Sequence, residues 1–285
     1  MHSKQRNLRA LGTIVYHAFV MLLGMMMIYP LVWMLMSSFK PSNTIMITAD
    51  QLIPAEFTLE NYPTGWRGFS DTSFLTFFSN TLWISVVSTL GVLLTTPMVA
   101  YGLARLRFPL RNLLFVIVLG TMMLPEQVMM IPQYLWYNRL GWINTYYPLV
   151  VPHFFALSGF FVYLIMNFIG GIPRDLDEAA HIDGCTYYSI YTRIIFPLLS
   201  PALATVAIFS FLNRWNDYMS PLLYIRRTKN YTVSLALRLF SDTTATSDYG
   251  ALFAMSTLSL LPIFIIFITM QKYLTQGVIT SGLKG

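Results

Sequence analysis

Long apolar runs separated by short polar segments dominate this chain. From Phe74 to Ala104 there is no Asp, Glu, Lys or Arg, a run longer than the ~20 apolar residues a helix needs to cross a bilayer. Comparable runs lie at about Thr13–Met36, Asn112–Ile131 (interrupted by Glu126), Tyr147–Phe168, Pro197–Leu212 and Tyr249–Met270. Together they predict about six spans. Backbone amides in lipid have no water to pair with, so each span must be a helix or a strand of a closed barrel. The runs are about twice the length of a barrel strand and lack its polar/apolar alternation. The pattern therefore predicts an all-α, polytopic membrane protein, read as one transmembrane domain over residues 1–285.

Composition strengthens that reading. Charged residues make up 11% of the chain and mean hydropathy is +0.58, against about 25% charged residues in soluble domains. The first run is longer than a signal-peptide core and ends in bulky Met and Trp, so it is expected to be retained. One cysteine, Cys185, excludes an intrachain disulfide and any multi-cysteine metal site. A net charge of +6 would suit a nucleic acid, but the basic residues lie mainly in short loops between spans, where orientation in the membrane explains them; no nucleic-acid partner is expected.

The same charges set the topology. Lys4, Arg6 and Arg9 precede the first span, and Arg105, Arg107 and Arg111 follow the second. Basic residues favour the cytoplasmic side, and two crossings separate these clusters, so both are consistent with the inside. Six spans then place both termini and the loop at about 170–196 in the cytoplasm. Lys40–Ser73, Pro132–Tyr146 and about Ser220–Asp248 fall outside. The last of these carries Arg226, Arg227, Lys229 and Arg238, which runs against the rule and has no explanation in the pattern.

The loop between the fourth and fifth spans is polar and punctuated for helix. Pro173 precedes the start, Asp175 and Glu178 have capping-box spacing, and Gly184 is a natural stop. Thr186 can cap a second helix running through Arg193 toward Pro197. Two short helices hinged at Gly184 are more order than a connector requires. Small Ala179 and Ala180 allow close approach of another surface, and Glu178 offers a carboxylate to a basic partner. Local physics alone leaves an ordinary solvated surface helix equally open.

Glu178-Ala-Ala-x-x-Asp183-Gly184, followed by Ile194-x-x-Pro197-Leu198-x-x-Pro201, closely resembles the EAA motif in permease subunits of bacterial ATP-binding-cassette importers. Cys185 stands where many members have Ala. Further stretches resemble the smaller permease subunit of the carbohydrate importers related to the maltose transporter: Ser37-Ser-Phe-Lys40-Pro, Asn61-Tyr62, Tyr101-Gly-Leu-Ala-Arg105, Trp215-Asn-Asp217-Tyr, and a tail of Gly277-x-x-Thr280-x-Gly282-Leu-Lys284-Gly285. The resemblance implies a bacterial plasma-membrane subunit that forms half of a translocation pathway with a second permease subunit. Two ATPase subunits would bind ATP and Mg, an extracytoplasmic solute-binding protein would deliver the solute, and this chain would hold no cofactor and do no catalysis. It further implies that Glu178 pairs with a basic residue of the ATPase, Ala179 and Ala180 pack in its cleft, and Gly184 permits the turn. Asp183 belongs to the same motif, and Pro197 fixes where the loop rejoins the fifth span. On the resemblance, Gly282, Lys284 and Gly285 in the tail at about 272–285 contact the ATPase subunits.

Inside the membrane the signals are weaker. Asn213, Trp215, Asn216 and Asp217 fall toward the outer part of the fifth span at ~1.5 Å per residue, where they either line a pathway or gate, or pack and anchor at the interface. Asn80 and Glu126 raise the same choice, and the lone His17 and His153 read as structural. Aromatic residues at 15% fit sugar stacking and interface belts alike. No His-Glu-x-x-His and no Gly-x-x-x-x-Gly-Lys-Ser/Thr occurs, which argues against an embedded metalloprotease and against an ATP-hydrolysing subunit. A permease for a sugar or oligosaccharide is the reading preferred, with a peptide or other solute, or a secondary transporter, as the alternatives.

Overall fold

The computed structural model describes residues 2–69, 71–241 and 248–282, with side chains between residues 12 and 272 of those ranges. All regular elements among the described residues are helical. In chain order they are α1 (His2–Ser37), α2 (Asn61–Arg67), α3 (Phe74–Arg105), α4 (Arg111–Met123), α5 (Glu126–Arg139), α6 (Tyr147–Val150), α7 (Gly159–Gly170), α8 (Asp175–Ile182), α9 (Tyr187–Ile190), α10 (Phe196–Leu198), α11 (Ser200–Trp215), α12 (Met219–Tyr224), α13 (Val233–Phe240) and α14 (Tyr249–Gly282). Among the described residues, four stretches are long and apolar enough to cross a membrane alone, and the number rises to six if each of two bent helix pairs is one span.

Those bent pairs change the expected spans. Asn112–Ile131 was expected to be one helix, but α4 and α5 meet at 105°. Pro125 causes the break: it forces Leu124 into extended backbone, where a helix cannot continue. The fifth span is also bent, by 74° between Tyr187–Leu198 and Ser200–Trp215. Its first limb contains a π-helical turn, Tyr191–Ile195. The fourth span, Tyr147–Gly170, is interrupted as well, passing from α6 through a 3-10 turn to Ala156 at φ +51° before α7. Prolines 30, 97 and 262, by contrast, lie within continuous helices.

The chain divides into two compact units. The first comprises residues 1–71 and 237–259. Here Lys40 is only 2% exposed and spends its ammonium on the carbonyls of Thr48 and Gln51, at 2.8 and 2.5 Å. The Asn61 amide donates to the Ser38 and Lys40 carbonyls at 2.8 and 2.7 Å. The Ser37–Pro41 and Asn61–Tyr62 stretches thus build one corner of this unit. Buried polar groups demand such pairing because an unmade bond there is costly.

The second unit, residues 72–236 and 260–285, is organised on α3. Its helix starts at Ser73, whose hydroxyl caps the Leu75 N–H, and its inward face packs against α7 and α11. Lipid is as apolar as these side chains, so close packing rather than water exclusion holds such helices together. Gly159 shows how tight the fit is: a Cβ there would lie 2.6 Å from the Val118 carbonyl oxygen of α4. One buried cluster runs from Val92 and Ala100 through Ile165 and Ile169 to Ala180, Ile190 and Ile195. Span and loop therefore share a single core. A second cluster joins Ile84, Leu149, Tyr224 and Ile225.

The loop that carries Arg226, Arg227 and Lys229 is also anchored to this unit. The Asn144 side chain accepts from the backbone N–H groups of Arg226 and Arg227 at 3.1 and 3.0 Å. Asn80 donates to the carbonyls of Lys229 and Tyr231, both at 3.0 Å. Asn80 thus clasps a loop of its own unit.

Candidate functional site

The loop between the fourth and fifth spans folds as two short helices about Gly184. Arg174 sits at the N-cap of α8 without a side-chain bond, and Asp175 is already the first helical residue, so the expected capping box does not form. Asp175, Asp177 and Glu178 instead place three carboxylates in the first turn, where they complement the positive end of the helix. At the other end, the Cys185 N–H reaches back to the Ala180 carbonyl (2.9 Å) and the Gly184 N–H to that of His181 (3.0 Å). This is a Schellman closure with Gly184 at φ +78°. A side chain there would cost about 1 kcal/mol of backbone strain. Thr186 caps α9 as expected, accepting from the Ser189 N–H at 3.3 Å.

The end of α3 fastens this loop in place. Arg105 Nε lies 2.9 Å from Asp177 Oδ2, and Arg105 Nη2 donates to the Ile172 carbonyl at 2.7 Å. One turn earlier, the Tyr101 hydroxyl donates to the Tyr187 carbonyl at 3.3 Å, and its ring lies 5.3 Å from that of Tyr191. Arg111 bonds the Leu103 carbonyl at 2.7 Å, closing the same end of α3. Arg105 and Arg111, whose charges set the expected orientation, are therefore also structural ties.

What remains exposed on the loop defines a surface. Glu178, Ala179 and Asp183 are exposed, Ile182 is 87% exposed and Tyr188 71%. Ala180 is the exception: it is 5% exposed and packed in the chain's own core. Its small size serves the contact of α8 with its own bundle, so the expectation that Ala180 enters a partner's cleft is corrected. Ile182 and Tyr188 were not singled out from the sequence. The signal available in the sequence was an isoleucine between His181 and Asp183 in a polar stretch. Pro197 lies in α10, exposed, just before the bend into α11. Gly282 is the last residue of α14, whereas Lys284 and Gly285 lie outside the described residues.

A cavity of about 500 Å³ lies in the second unit, lined among others by Glu126, Gln133, His153, Asn213, Arg214 and Tyr224. Of the four residues marked from the sequence, Asn213 lines it. Trp215 is buried, stacked on Phe211 at 5.5 Å and edge-on to Phe78 at 5.4 Å. It packs within its own unit and does not line the cavity. Asn216 ends α11, and Asp217 holds Arg214 at 3.0 Å while capping the Ser220 N–H at 3.0 Å. His153, read from the sequence as structural, reaches the cavity wall. So does Glu126, placed there by the break at Pro125. Polar side chains in a membrane bundle face such cavities rather than lipid.

The fold and these residues correspond to a known group. The family described as binding-protein-dependent transport system inner membrane component matches residues 91–280, a stretch that contains the α8–α9 loop and the cavity, and the chain belongs to that family. Over 261 residues it is 34% identical to the arabinooligosaccharides transport system permease protein AraQ of Halalkalibacterium halodurans, covering 90% of this chain and 91% of that protein. Over 266 residues it is 30% identical to the trehalose/maltose transport system permease protein MalG of Thermococcus litoralis, covering 93% and 94%. In three dimensions it resembles a chain of a bacterial ABC transporter involved in the import of the acidic polysaccharide alginate. The TM-score is 0.80 at 22% identity, covering 93% of this chain and 97% of that chain, a likeness of fold. The protein is thus a multi-pass membrane component of a binding-protein-dependent transport system.

Proposed function

We propose that this chain is a permease subunit of an ATP-driven, binding-protein-dependent importer for a sugar or oligosaccharide, with both termini and the α8–α9 loop in the cytoplasm. The whole chain acts as one permease domain and forms half of the pathway with a second permease subunit. Two separate ATPase subunits bind ATP and Mg and hydrolyse the nucleotide, and an extracytoplasmic solute-binding protein supplies the cargo. The observation that carries this reading is the ordered α8–Gly184–α9 hinge, which is tied to the second span and presents Glu178, Ala179, Ile182 and Asp183 outward. A connector needs no such construction; a docking element does. Relatives named for arabinooligosaccharides and for trehalose and maltose support the class of cargo.

The cavity is assigned to the pathway. Its amide, carboxylate, guanidinium and phenol groups, with apolar Leu157 and Phe161 beside them, suit a hydroxylated solute that exchanges water contacts for side-chain contacts. The test is uptake in cells lacking this chain. Loss of uptake of one labelled oligosaccharide, restored by the wild-type gene, with peptide uptake unchanged, is the expected result. Intact uptake of every oligosaccharide tried together with loss of a peptide would overturn the cargo assignment.

A further inference from the structure

The end of α3 grips the docking loop on both sides of its hinge. Before Gly184, Arg105 reaches Asp177 at 2.9 Å and the Ile172 carbonyl at 2.7 Å. After it, Tyr101 reaches the Tyr187 carbonyl at 3.3 Å and lies against the Tyr191 ring. The ion pair is not a solvated surface contact: the Arg105 side chain is 6% exposed and that of Asp177 16%. Asp177 Oδ1 and Arg105 Nε are both buried without a hydrogen-bond partner among the described residues, so the 2.9 Å pair is a charge contact, and the guanidinium's charge compensates a carboxylate held out of water. A buried pair of this kind is poor evidence for stability, because an apolar pair of equal volume does as well. Its distinctive property is position: the Nη2 bond to the Ile172 carbonyl fixes the guanidinium, and the charge contact then holds Asp177 at 2.9 Å from it.

Asp177 and Glu178 are neighbours on one helix with opposite assignments. Asp177 is turned to the bundle and Glu178 is exposed. A displacement imposed on α8 at Glu178 reaches Asp177 within one residue and Arg105 within one contact. From there it enters a continuous helix 32 residues long.

We propose that Arg105 and Asp177 form a positioning clamp that converts movement of the docked α8 helix into movement of the second span. The pair makes no contact with nucleotide or solute and contributes nothing to docking affinity itself. This inference rests on the docking reading of α8, and its failure is distinguishable from the failure of that reading.

The experiment uses the complete transporter, with its own ATPase subunits and second permease, purified and reconstituted in lipid vesicles. A reporter cysteine replaces Asn213 in a Cys185→Ser background, and its reaction with N-ethylmaleimide is followed without nucleotide and after trapping with ATP and vanadate. In this parent, trapping is expected to change the labelling rate at least tenfold. Asp177→Asn removes the charge at nearly constant shape. It is expected to keep the ATPase co-purifying within twofold of the parent while its labelling rate changes by less than twofold. A purely structural role would lower the amount of complex but leave the tenfold response in whatever assembles, and that result overturns the proposal. Should Asp177→Asn not accumulate, Arg105→Lys decides. It keeps the charge but cannot span both Asp177 and the Ile172 carbonyl, so a response reduced at least threefold is expected and a full one overturns the clamp. Glu178→Ala in the same background separates the two ideas. If it binds the ATPase and responds like the parent, the docking reading has failed; if it loses the ATPase while Asp177→Asn responds fully, the clamp alone has failed.

Discussion

Glu178→Ala is expected to leave the protein in the membrane at normal abundance and to remove most transport. The first half follows from the fold: Glu178 is exposed in the first turn of α8, and its side chain has no hydrogen-bond or ion-pair partner among the described residues. Its removal therefore leaves nothing unpaired within the chain. The second half follows from the partner. A carboxylate that pairs across a desolvated interface leaves an orphaned cation when truncated, at ~2–5 kcal/mol, or roughly 30-fold to several-thousand-fold in affinity. Quantitative membrane blots together with initial uptake rates check both halves. Wild-type uptake at wild-type abundance would show that Glu178 docks nothing.

The second large effect is expected at Gly159, and it acts on assembly rather than coupling. An added Cβ meets the Val118 carbonyl oxygen and the Thr121 hydroxyl at 2.6 Å each, with Met122 Cγ at 3.1 Å. A backbone carbonyl cannot rotate away as a flexible side chain can, so α4 and α7 must separate. Overpacking of this kind costs ~1–3 kcal/mol. Thr121, Ser158 and Phe161 line the cavity on either side of that contact, so separation also reshapes the pathway wall. Gly159→Ala should lower the thermal midpoint and the membrane level of the complex. Gly102→Ala is the internal comparison, because nothing lies within 4 Å of its added Cβ. Equal behaviour of the two variants would show that the α4–α7 contact accommodates a side chain at position 159.

How much of this was legible beforehand depended on which physical signal carried it. Span existence was legible because uncharged runs longer than a bilayer's thickness have no soluble alternative. Span shape was not. Pro125 and Pro97 look alike in the chain, yet one marks a 105° break and the other lies within a continuous helix, and only the neighbours that re-satisfy the freed backbone groups distinguish them. In the docking loop, Gly184 and Thr186 were legible because cap chemistry is local. Asp175 misled, since capping-box spacing does not say which residue begins the helix. Ala179 and Ala180 carry the same letter and take opposite sides, one exposed and one in the core, which follows from the 100° between successive helical positions and needs the packing partner to resolve. The tie from Arg105 to Asp177 spans 72 residues and has no periodicity to announce it. Arg105 was noticed for its charge and for the stretch it closes, and its task emerged from distance alone.

The exposed face of α8 is expected to meet an ATP-binding subunit, and a photoreactive residue placed on that face reads the contact. Ile182 is 87% exposed and sits beside Asp183 on that face. With p-benzoylphenylalanine in place of Ile182, in membranes containing the complete transporter, irradiation is expected to give one dominant adduct between this chain and the ATP-binding subunit, dependent on that subunit's presence. Adducts only to lipid, or to the second permease subunit, in a complex that still hydrolyses ATP would contradict the account.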